Sequence, residues 1–273
     1  MAVTIKSFGL TDKGKVRETN QDNFLIVDIS KSVAIRHSSL SSDAVPNRLG
    51  SVDAHLFVVA DGVGGGPRGD RASEETVTAL LKYVTETVDC FNAVDSSKEQ
   101  DLFDRLEDTV RGVHQRLLDE HAGRAGQGPA TTLTMVLLIW PRAYLIHVGD
   151  SRAYVRRRGR LQALTRDQTF GEYMVAAGAW TEEQAAVSRP GATLSSAIGG
   201  PQLEPAVGLV DLEPGDSLML CTDGLTKHVN EERIAKLMEQ AGDVEGVGRR
   251  LIDEALAGGG TDNVAVIVVT ALQ

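Results

Sequence analysis

The chain has 273 residues, of which 42% are hydrophobic and 24% are charged, as in ordinary globular proteins and unlike disordered or fibrous chains. Its 28 basic and 38 acidic side chains give a formal charge of −10, which argues against nucleic acid or an anionic membrane as a partner. The longest apolar stretches, such as Met135 to Trp140, are far shorter than the ~20 residues of a membrane-spanning helix.

The first half of the chain is predicted to form strands and then two helices. Ser30 to Ala54, rich in Ser, Asp and Asn, is predicted to be a long surface insertion between two strands. Leu56 to Ala60 is a short apolar run typical of a buried strand. Two amphipathic helices follow. Their apolar stripes are Val77, Leu80, Leu81, Val84 and Val88, and then Leu102, Phe103, Leu106, Val110, Val113 and Leu117.

The second half repeats this order of strands followed by helices. Strands are predicted at 144–148, 217–221 and 264–272, and a hairpin of two short strands turns at Gly159. Two further helices are predicted around 234–238 and 244–256. This order favours an α+β fold in which helices cover antiparallel sheets. Since no linker or repeat is visible, we predict a single domain over residues 1–273.

The N-terminus and the cysteines indicate a cellular compartment. No charged segment followed by an apolar run begins the chain, so no secretory signal is predicted. Cys90 and Cys221 are too few for a disulfide framework, as in proteins of a reducing compartment. We therefore expect a cytoplasmic protein.

Five aspartates lie at the edges of predicted strands: Asp22, Asp61, Asp150, Asp223 and Asp262. A single aspartate in such a place is most often a turn residue, but five are harder to explain in this way. Strand ends in a layered sheet can converge on one rim, where neighbouring carboxylates must take up protons or bind cations. A ligand set made only of oxygen favours Mg²⁺ or Mn²⁺ over zinc.

Six motifs in order along the chain resemble those of the metal-dependent protein Ser/Thr phosphatases of the PP2C (PPM) type, and most of all the bacterial ones. They are Gly14 to Asp22, Val59 to Gly65, Ala130 to Leu133, His147 to Arg152, Cys221 to Leu225 and Gly260 to Val264. The resemblance therefore extends from the first strand to the last. It implies a four-layer α-β-β-α sandwich with a two-metal centre at one end.

The resemblance also implies roles for individual residues at that centre. Asp61 would bridge two Mn²⁺ or Mg²⁺ ions, and the carbonyl of Gly62 would bind one of them. Asp223 and Asp262 would complete the shell of the other ion. Asp22 would bind a metal through water or orient the direct ligands.

Two further roles follow from the same resemblance. Asp150 would hold a third, weaker ion together with Asp223. Arg17 would clamp the substrate phosphate, to which a guanidinium can donate two parallel hydrogen bonds. Asp61, Asp22 and Arg17 are then the expected catalytic residues.

The implied reaction is hydrolysis of phosphoserine and phosphothreonine on proteins. A hydroxide that bridges the two metals would attack phosphorus directly, with no phospho-enzyme. The protein would act as a monomer against one or more Ser/Thr kinases, and residues 165–198 would form a flap beside the active site.

Two departures from the family pattern bear on the metal centre. Gln21 stands where many eukaryotic relatives have a glutamate that ligates a metal, so one metal site is expected to be weaker or more water-bound. Val63 stands where they have a histidine often regarded as the general acid. We therefore assign no side chain to protonation of the leaving group.

Three alternatives remain open from the sequence. One is an enzyme that acts on a single regulatory phosphoprotein, and another is a pseudo-enzyme that binds phosphoproteins without turnover. The second alternative would be signalled by lost metal aspartates, and none of the matched aspartates is missing. Arg156 to Arg160 is either a solvated basic turn or a dock for an acidic or phosphorylated partner.

Overall fold

A computed structural model of the protein describes residues 3–29, 33–38, 54–63, 67–87, 99–120, 128–188, 190–240 and 243–272. The strands in these ranges are β1 (Thr4–Asp12), β2 (Asp22–Ile29), β3 (Val33–Ser38), β4 (Ala54–Val63), β5 (Ala130–Thr131), β6 (Leu133–Ile139), β7 (Arg142–Val148), β8 (Arg152–Arg157), β9 (Arg160–Ala163), β10 (Ala206–Asp211), β11 (Ser217–Cys221) and β12 (Val264–Leu272). The helices are α1 (Pro67–Thr87), α2 (Glu99–Asp119), α3 (Phe170–Ala176), α4 (Glu182–Val187), α5 (Asp223–Thr226), α6 (Glu231–Leu237) and α7 (Val244–Ala257).

Two antiparallel sheets pack face to face and carry helices on their outer faces. One sheet has the strand order β1-β12-β11-β8-β9, and the other has the order β10-β7-β6-β4-β2-β3, with β5 paired to β4. Helices α1 and α2 cover the second sheet, and α6 and α7 cover the first. The predicted α-β-β-α sandwich is confirmed. Of the helices in the described ranges, none is both long and apolar enough to cross a bilayer.

Strand β4 shows why the central strands are apolar on both faces. Leu56 and Val58 belong to the core under α1 and α2, whereas Phe57 and Val59 belong to the core between the sheets. Because successive side chains point to opposite faces of a sheet, a strand buried on both sides is a continuous apolar run. The two sheets therefore share one core, and the single domain over residues 1–273 stays a prediction.

The predicted amphipathic helices bury the side chains of their apolar stripes. Five residues of α2 are buried against the second sheet: Leu102, Leu106, Val110, Val113 and Leu117. On the other side of the molecule, Leu251 and Ile252 of α7 are buried against the first sheet. The side chain of Val84 and all of Val88 lie outside the described residues.

Part of the predicted surface insertion Ser30 to Ala54 is a strand rather than a loop. Val33–Ser38 forms β3, which pairs with the otherwise open edge of β2 through an irregular register between Ile26 and Val27. Ala54 is buried and begins β4. The expectation based on composition missed β3 because only Val33 to Ile35 are apolar and the second half of the strand is polar. Residues 39–53 lie outside the described part of the chain.

The basic hairpin of β8 and β9 is partly neutralised by acidic residues of the same chain. Arg157 donates to the Asp216 carboxylate from Nε at 2.9 Å and from a terminal nitrogen at 2.6 Å. The Asp216 side chain is 3% exposed, so its charge is held inside the protein. Arg158 pairs with Glu213 at 2.8 Å in a far more exposed position. These pairs favour a structural role for two of the arginines.

Replacing Arg157 with Ala is expected to lower the free energy of unfolding by about 2–3 kcal/mol, because the Asp216 carboxylate would stay buried without its counter-ion. Urea denaturation of the purified variant measures this change. Arg158→Ala is the matched control, and we expect little change because the Arg158 side chain is 80% exposed. Equal losses in both variants would contradict this account.

Candidate metal centre

The two sheets bring the five predicted aspartates to one rim of the sandwich. Asp22 begins β2 and lies directly opposite Asp61 in the register of β2 and β4. Asp223 follows β11 and Asp262 precedes β12, two antiparallel neighbours whose connected ends meet at the same edge. Asp150 lies in the turn from β7 to β8, where the chain passes from one sheet to the other.

These strand ends surround a cavity of about 180 Å³. It is lined by Arg17, Gln21, Asp61, Gly62, Val63, Asp150, Ala192, Leu194, Asp223, Lys227, Asp262 and Asn263. Asp22, 3% exposed, lies behind this lining next to Asp61. Thus the structure brings together all seven residues that were predicted for the site.

The carboxyl groups of the rim are held close together and away from bulk water. Burial and the charges of the surrounding carboxylates raise the pKa of Asp61 well above its usual value. Burial, opposed by a hydrogen bond from Thr222, raises the pKa of Asp22 to about 7. Burial and the charge of Asp223 likewise raise the pKa of Asp150 to about 7. Such a cluster is costly unless protons or cations neutralise it.

Two cationic side chains supply part of that neutralising charge. Arg17 donates to both carboxylate oxygens of Asp262, at 2.7 and 2.9 Å. Lys227 Nζ lies 2.5 Å from Asp223 Oδ2 and 2.8 Å from Asp262 Oδ2. Although partial burial favours the neutral acid, hydrogen bonds from Arg17 and Lys227 hold the pKa of Asp262 below its usual value. The sequence analysis did not identify Lys227, whose one signal was its position four residues after Asp223.

The backbone at Asp61 is fixed by the motif Ala130 to Leu133. The Asp61 amide donates to Thr132 Oγ1 at 3.0 Å, while its carbonyl accepts from the Thr132 amide at 2.9 Å and from Thr131 Oγ1 at 2.8 Å. Thr132 Oγ1 also contacts Ser151 Oγ at 2.8 Å, next to Asp150. This motif therefore links two of the acidic strand ends and limits their relative movement.

Thr222 and Asn263 connect the remaining strand ends. Thr222 Oγ1 donates to Asp22 Oδ2 at 2.7 Å and joins the two sheets beneath the cavity. Asn263 Oδ1 accepts from the Gln21 amide at 2.9 Å, and its Nδ2 donates to the carbonyls of Lys13 and Thr19. Buried hydrogen bonds to these groups orient the acids, as supporting shells do around metal ligands. Sequence reasoning assigned no role to Thr222 or Asn263.

The glycines that follow Asp61 and Asp223 are required because the backbone of another segment lies too close for a side chain. A Cβ at Gly224 would lie 1.8 Å from the carbonyl oxygen of Asn263. A Cβ at Gly62 would lie 2.5 Å from the backbone of Gly69 at the start of α1. Neither approach is compatible with a side chain, so glycine lets the backbone segments around the cavity pack in direct contact.

The side chain of Gln21 is directed to the start of α1. The side-chain amide of Gln21 forms a hydrogen bond with the Asp70 carboxylate. Burial raises the pKa of Asp70, and this hydrogen bond opposes the rise. The backbone carbonyl of Gln21 accepts hydrogen bonds from the Gly62 amide and from Ser73 Oγ, so Gln21 also joins β2 to β4 and α1. The expected weakening of one metal site by Gln21 stays a prediction.

His147 has the structural role that its place inside a strand indicates. It is 1% exposed, and its ring contacts Thr134 Oγ1 at 2.9 Å and the carbonyl of Arg166 at 3.1 Å. Burial lowers its pKa to about 4. A neutral histidine with both nitrogens engaged supports β7 and takes no part in the cavity.

The predicted flap borders the cavity on one side. Its helices α3 and α4 pack against each other and against a 3₁₀ turn, Pro190–Ala192, and two residues after the helices, Ala192 and Leu194, line the cavity. Arg152 anchors the start of this segment through a bidentate pair with Asp167 at 2.7 and 2.8 Å. The flap is therefore placed to contact a molecule bound at the aspartates.

The donor set fits divalent cations that prefer oxygen ligands. Within the described part of the chain, Asp22 Oδ1 and Asp223 Oδ1 are buried and receive no hydrogen bond from an N–H or hydroxyl group, although a buried carboxylate oxygen normally does. Among the described residues, no group of three or more acidic, histidine or cysteine side chains is arranged as it would be around a metal ion. In this arrangement Lys227 and Arg17 lie among the carboxylates. The acids that would hold Mn²⁺ or Mg²⁺ are Asp61, Asp223 and Asp262, with Asp22 and Asp150 beside them.

Comparisons with known proteins identify the family. Residues 33–256 match the family model described as protein phosphatase 2C. The serine/threonine protein phosphatase PstP of Mycobacterium tuberculosis is 34% identical over 221 residues, which are 81% of this chain and 41% of PstP. The chain thus spans less than half the length of that relative.

Two further comparisons cover nearly the whole chain. A protein phosphatase 2C-type protein of Streptococcus pyogenes is 30% identical over 260 residues, 95% of this chain and 94% of that protein. The crystal structure of the PstP catalytic domain with two manganese ions superposes with a TM-score of 0.73 at 27% identity and covers 100% of each chain. The family match and the shared fold lead to one conclusion: this chain belongs to the protein phosphatase 2C family.

Proposed function

We propose that this protein is a metal-dependent phosphatase that hydrolyses phosphoserine and phosphothreonine on other proteins. The observation that carries this proposal is the meeting of five aspartates and Arg17 at one cavity, where buried oxygens of Asp22 and Asp223 receive no hydrogen bond from any N–H or hydroxyl group of the described residues. The relatives named as serine/threonine phosphatases and the manganese-bound PstP domain support it.

Each residue of the centre has a proposed role. Asp61, Asp223 and Asp262, with the Gly62 carbonyl, would hold two Mn²⁺ or Mg²⁺ ions, and Asp150 with Asp223 would hold a third, weaker one. Asp22 would act through water or by orienting the direct ligands. When bound, such ions activate a water molecule for attack and offset the charge of the phosphoryl oxygens. Arg17, which is half exposed at the cavity, would bind those oxygens.

The cellular setting is also a proposal. We infer that the enzyme acts as a monomer in the cytoplasm, on phosphoproteins made by one or more Ser/Thr kinases. Arg17 lines the cavity and its side chain is half exposed, so a phosphorylated segment of a partner protein can reach this guanidinium from solvent.

A turnover assay tests the proposal. The purified protein is given phosphoserine, phosphothreonine and phosphotyrosine peptides with Mn²⁺, with Mg²⁺ or with EDTA, and released phosphate is measured. We expect release from the first two peptides only when a metal is present. Absence of metal-dependent release from any peptide, in a protein that still binds those peptides, would favour the rival function of a phosphoprotein-binding pseudo-enzyme.

Replacing Arg17 with Ala is expected to raise KM for phosphopeptides about 10- to 100-fold with a smaller change in kcat, as loss of a phosphate clamp does. Steady-state kinetics at saturating Mn²⁺ measure both constants. Arg17→Lys keeps the charge without the two-pronged donor and should lie between Ala and the original enzyme. An unchanged KM in Arg17→Ala would remove Arg17 from this role.

A further inference from the structure

Lys227 occupies a position that the family resemblance does not account for. It lies one helical turn after Asp223, and its ammonium group is in contact with two carboxylates from different segments, Asp223 and Asp262. These two aspartates are 39 residues apart in sequence. The lysine therefore does more than form an ordinary pair along one helix.

The oxygens that Lys227 contacts belong to the acids expected to hold a metal. Its Nζ lies 2.5 Å from Asp223 Oδ2 and 2.8 Å from Asp262 Oδ2. An ammonium group and a divalent cation cannot both occupy the space between these two atoms. Asp262 already receives two hydrogen bonds from Arg17 on its other side, so that carboxylate is fully engaged by side-chain cations.

The charges of the rim lead to the same conclusion. Five carboxylates face two side-chain cations, Arg17 and Lys227, which leaves a formal charge of −3 when all the acids are ionised. Removing Lys227 would make this −4 and would leave Asp223 without the ammonium group that contacts its carboxylate. The Lys227 side chain is 44% exposed, so it can move into solvent when another cation takes its place.

We propose that Lys227 is a tethered counter-ion of the Asp223–Asp262 pair and competes with the divalent cation for these two carboxylates. It neutralises the rim while metal is absent and leaves it when metal binds. The affinity of this metal position is therefore lower than the carboxylates alone would give. This inference rests on the proposed function, because it assumes that the aspartates bind a divalent metal.

Manganese binding to Lys227→Gln tests the competition directly. Isothermal titration and the EPR signal of free Mn²⁺ give the number and affinity of bound ions without any assay of turnover. We expect one of the two stronger Mn²⁺ binding steps, that of the Asp223–Asp262 position, to tighten about three- to tenfold, the size of effect that a partly exposed ion pair can have. Thermal denaturation should show a lower Tm for the variant in EDTA and an unchanged Tm with saturating Mn²⁺.

Two matched variants separate charge from other effects. Lys227→Arg keeps the positive charge and should retain the original Mn²⁺ affinity. Lys236→Gln removes an exposed lysine of α6 with the same change in net charge and should also leave it unchanged.

Three results would overturn the inference. If Lys227→Gln binds Mn²⁺ with the original affinity, competition is wrong while the metal centre stands. If Lys236→Gln tightens binding as much as Lys227→Gln, net charge rather than position explains the effect. If the unmodified protein binds no Mn²⁺, the proposed function fails together with this inference.

Discussion

Replacing Asp61 with Asn is expected to lower metal-dependent kcat/KM by on the order of 10³-fold and, at the same time, to raise the Tm of the metal-free protein. Activity is expected to fall because Asp61 would help to hold the divalent cations, and a neutral amide offers them a much weaker ligand than a carboxylate. Stability rises because burial and the charges of Asp22, Asp223, Asp150 and Asp262 all oppose the ionisation of Asp61. An amide of the same shape removes that repulsion.

The opposite directions of the two effects make this prediction specific. A variant that is inactive because it folds poorly would lose activity and stability together. A variant in which a residue of a strained functional site is replaced loses activity but gains stability. Phosphopeptide hydrolysis with Mn²⁺ and thermal denaturation in EDTA at pH 8 measure the two effects on the same preparation.

Asp108→Asn is the matched control for Asp61→Asn. Asp108 is an exposed aspartate on α2, far from the rim in sequence and outside the cavity lining. We expect neither its activity nor its Tm to change. Original turnover in Asp61→Asn would remove Asp61 from the metal centre, and a lower Tm in EDTA would mean that its carboxylate stabilises the fold.

Metal-free protein is expected to lose stability as the pH rises from about 4 to about 8, and saturating Mn²⁺ should abolish this loss. The pKa of the Asp22 carboxyl is raised from 3.8 to about 7 in the fold. For a raised pKa, the stabilising contribution is present below the unfolded value and is lost as the pH passes through the folded value. The cost for one such group above pH 7 is on the order of 2–4 kcal/mol.

Bound metal is expected to reverse the pH dependence of stability, because a divalent cation binds the ionised form of the carboxylates. Metal affinity therefore increases with pH over the range in which the metal-free protein weakens. We expect the Tm in EDTA to fall by roughly 5–10 °C between pH 5 and pH 8, and the Tm with Mn²⁺ to stay level or rise. Thermal denaturation at four pH values in each condition gives both curves.

Asp22→Asn is the control for the pH effect. The amide cannot ionise, so the fall of the Tm in EDTA should become smaller in this variant. Equal pH dependence with and without Mn²⁺ would contradict the assignment of these acids to a metal centre, and an unaltered fall in Asp22→Asn would assign the effect to other groups.

The sandwich itself was predictable because its signals are local. Short apolar runs such as Leu56 to Ala60 are found as strands, and the apolar stripe from Leu102 to Leu117 is buried on one side of α2. Strand β3 was missed, since only three of its six residues are apolar and its strand form depends on the open edge of β2. The composition of a segment does not indicate that it pairs with the edge of another strand.

The acidic residues of the site were also predictable, whereas their partners were not. Asp61 and Asp223 each precede a glycine in an order of motifs that is specific to the family. Lys227, Thr222 and Asn263 hold or neutralise these acids, yet each belongs to a residue type that is common on any protein surface. Their roles appear only when contacts across the fold are known, such as Thr222 to Asp22 at 2.7 Å.

The amino-acid sequence by itself determined which side chains have the chemistry for a metal centre and which segments become strands and helices. Only the tertiary structure decided that Arg17 and Lys227 lie on the same carboxylate, that of Asp262. The physical reason is that Arg17 and Asp262 are separated by 245 residues. Periodicity and turn chemistry act over a few residues, whereas the distance between two distant charges is set by the packing of both sheets.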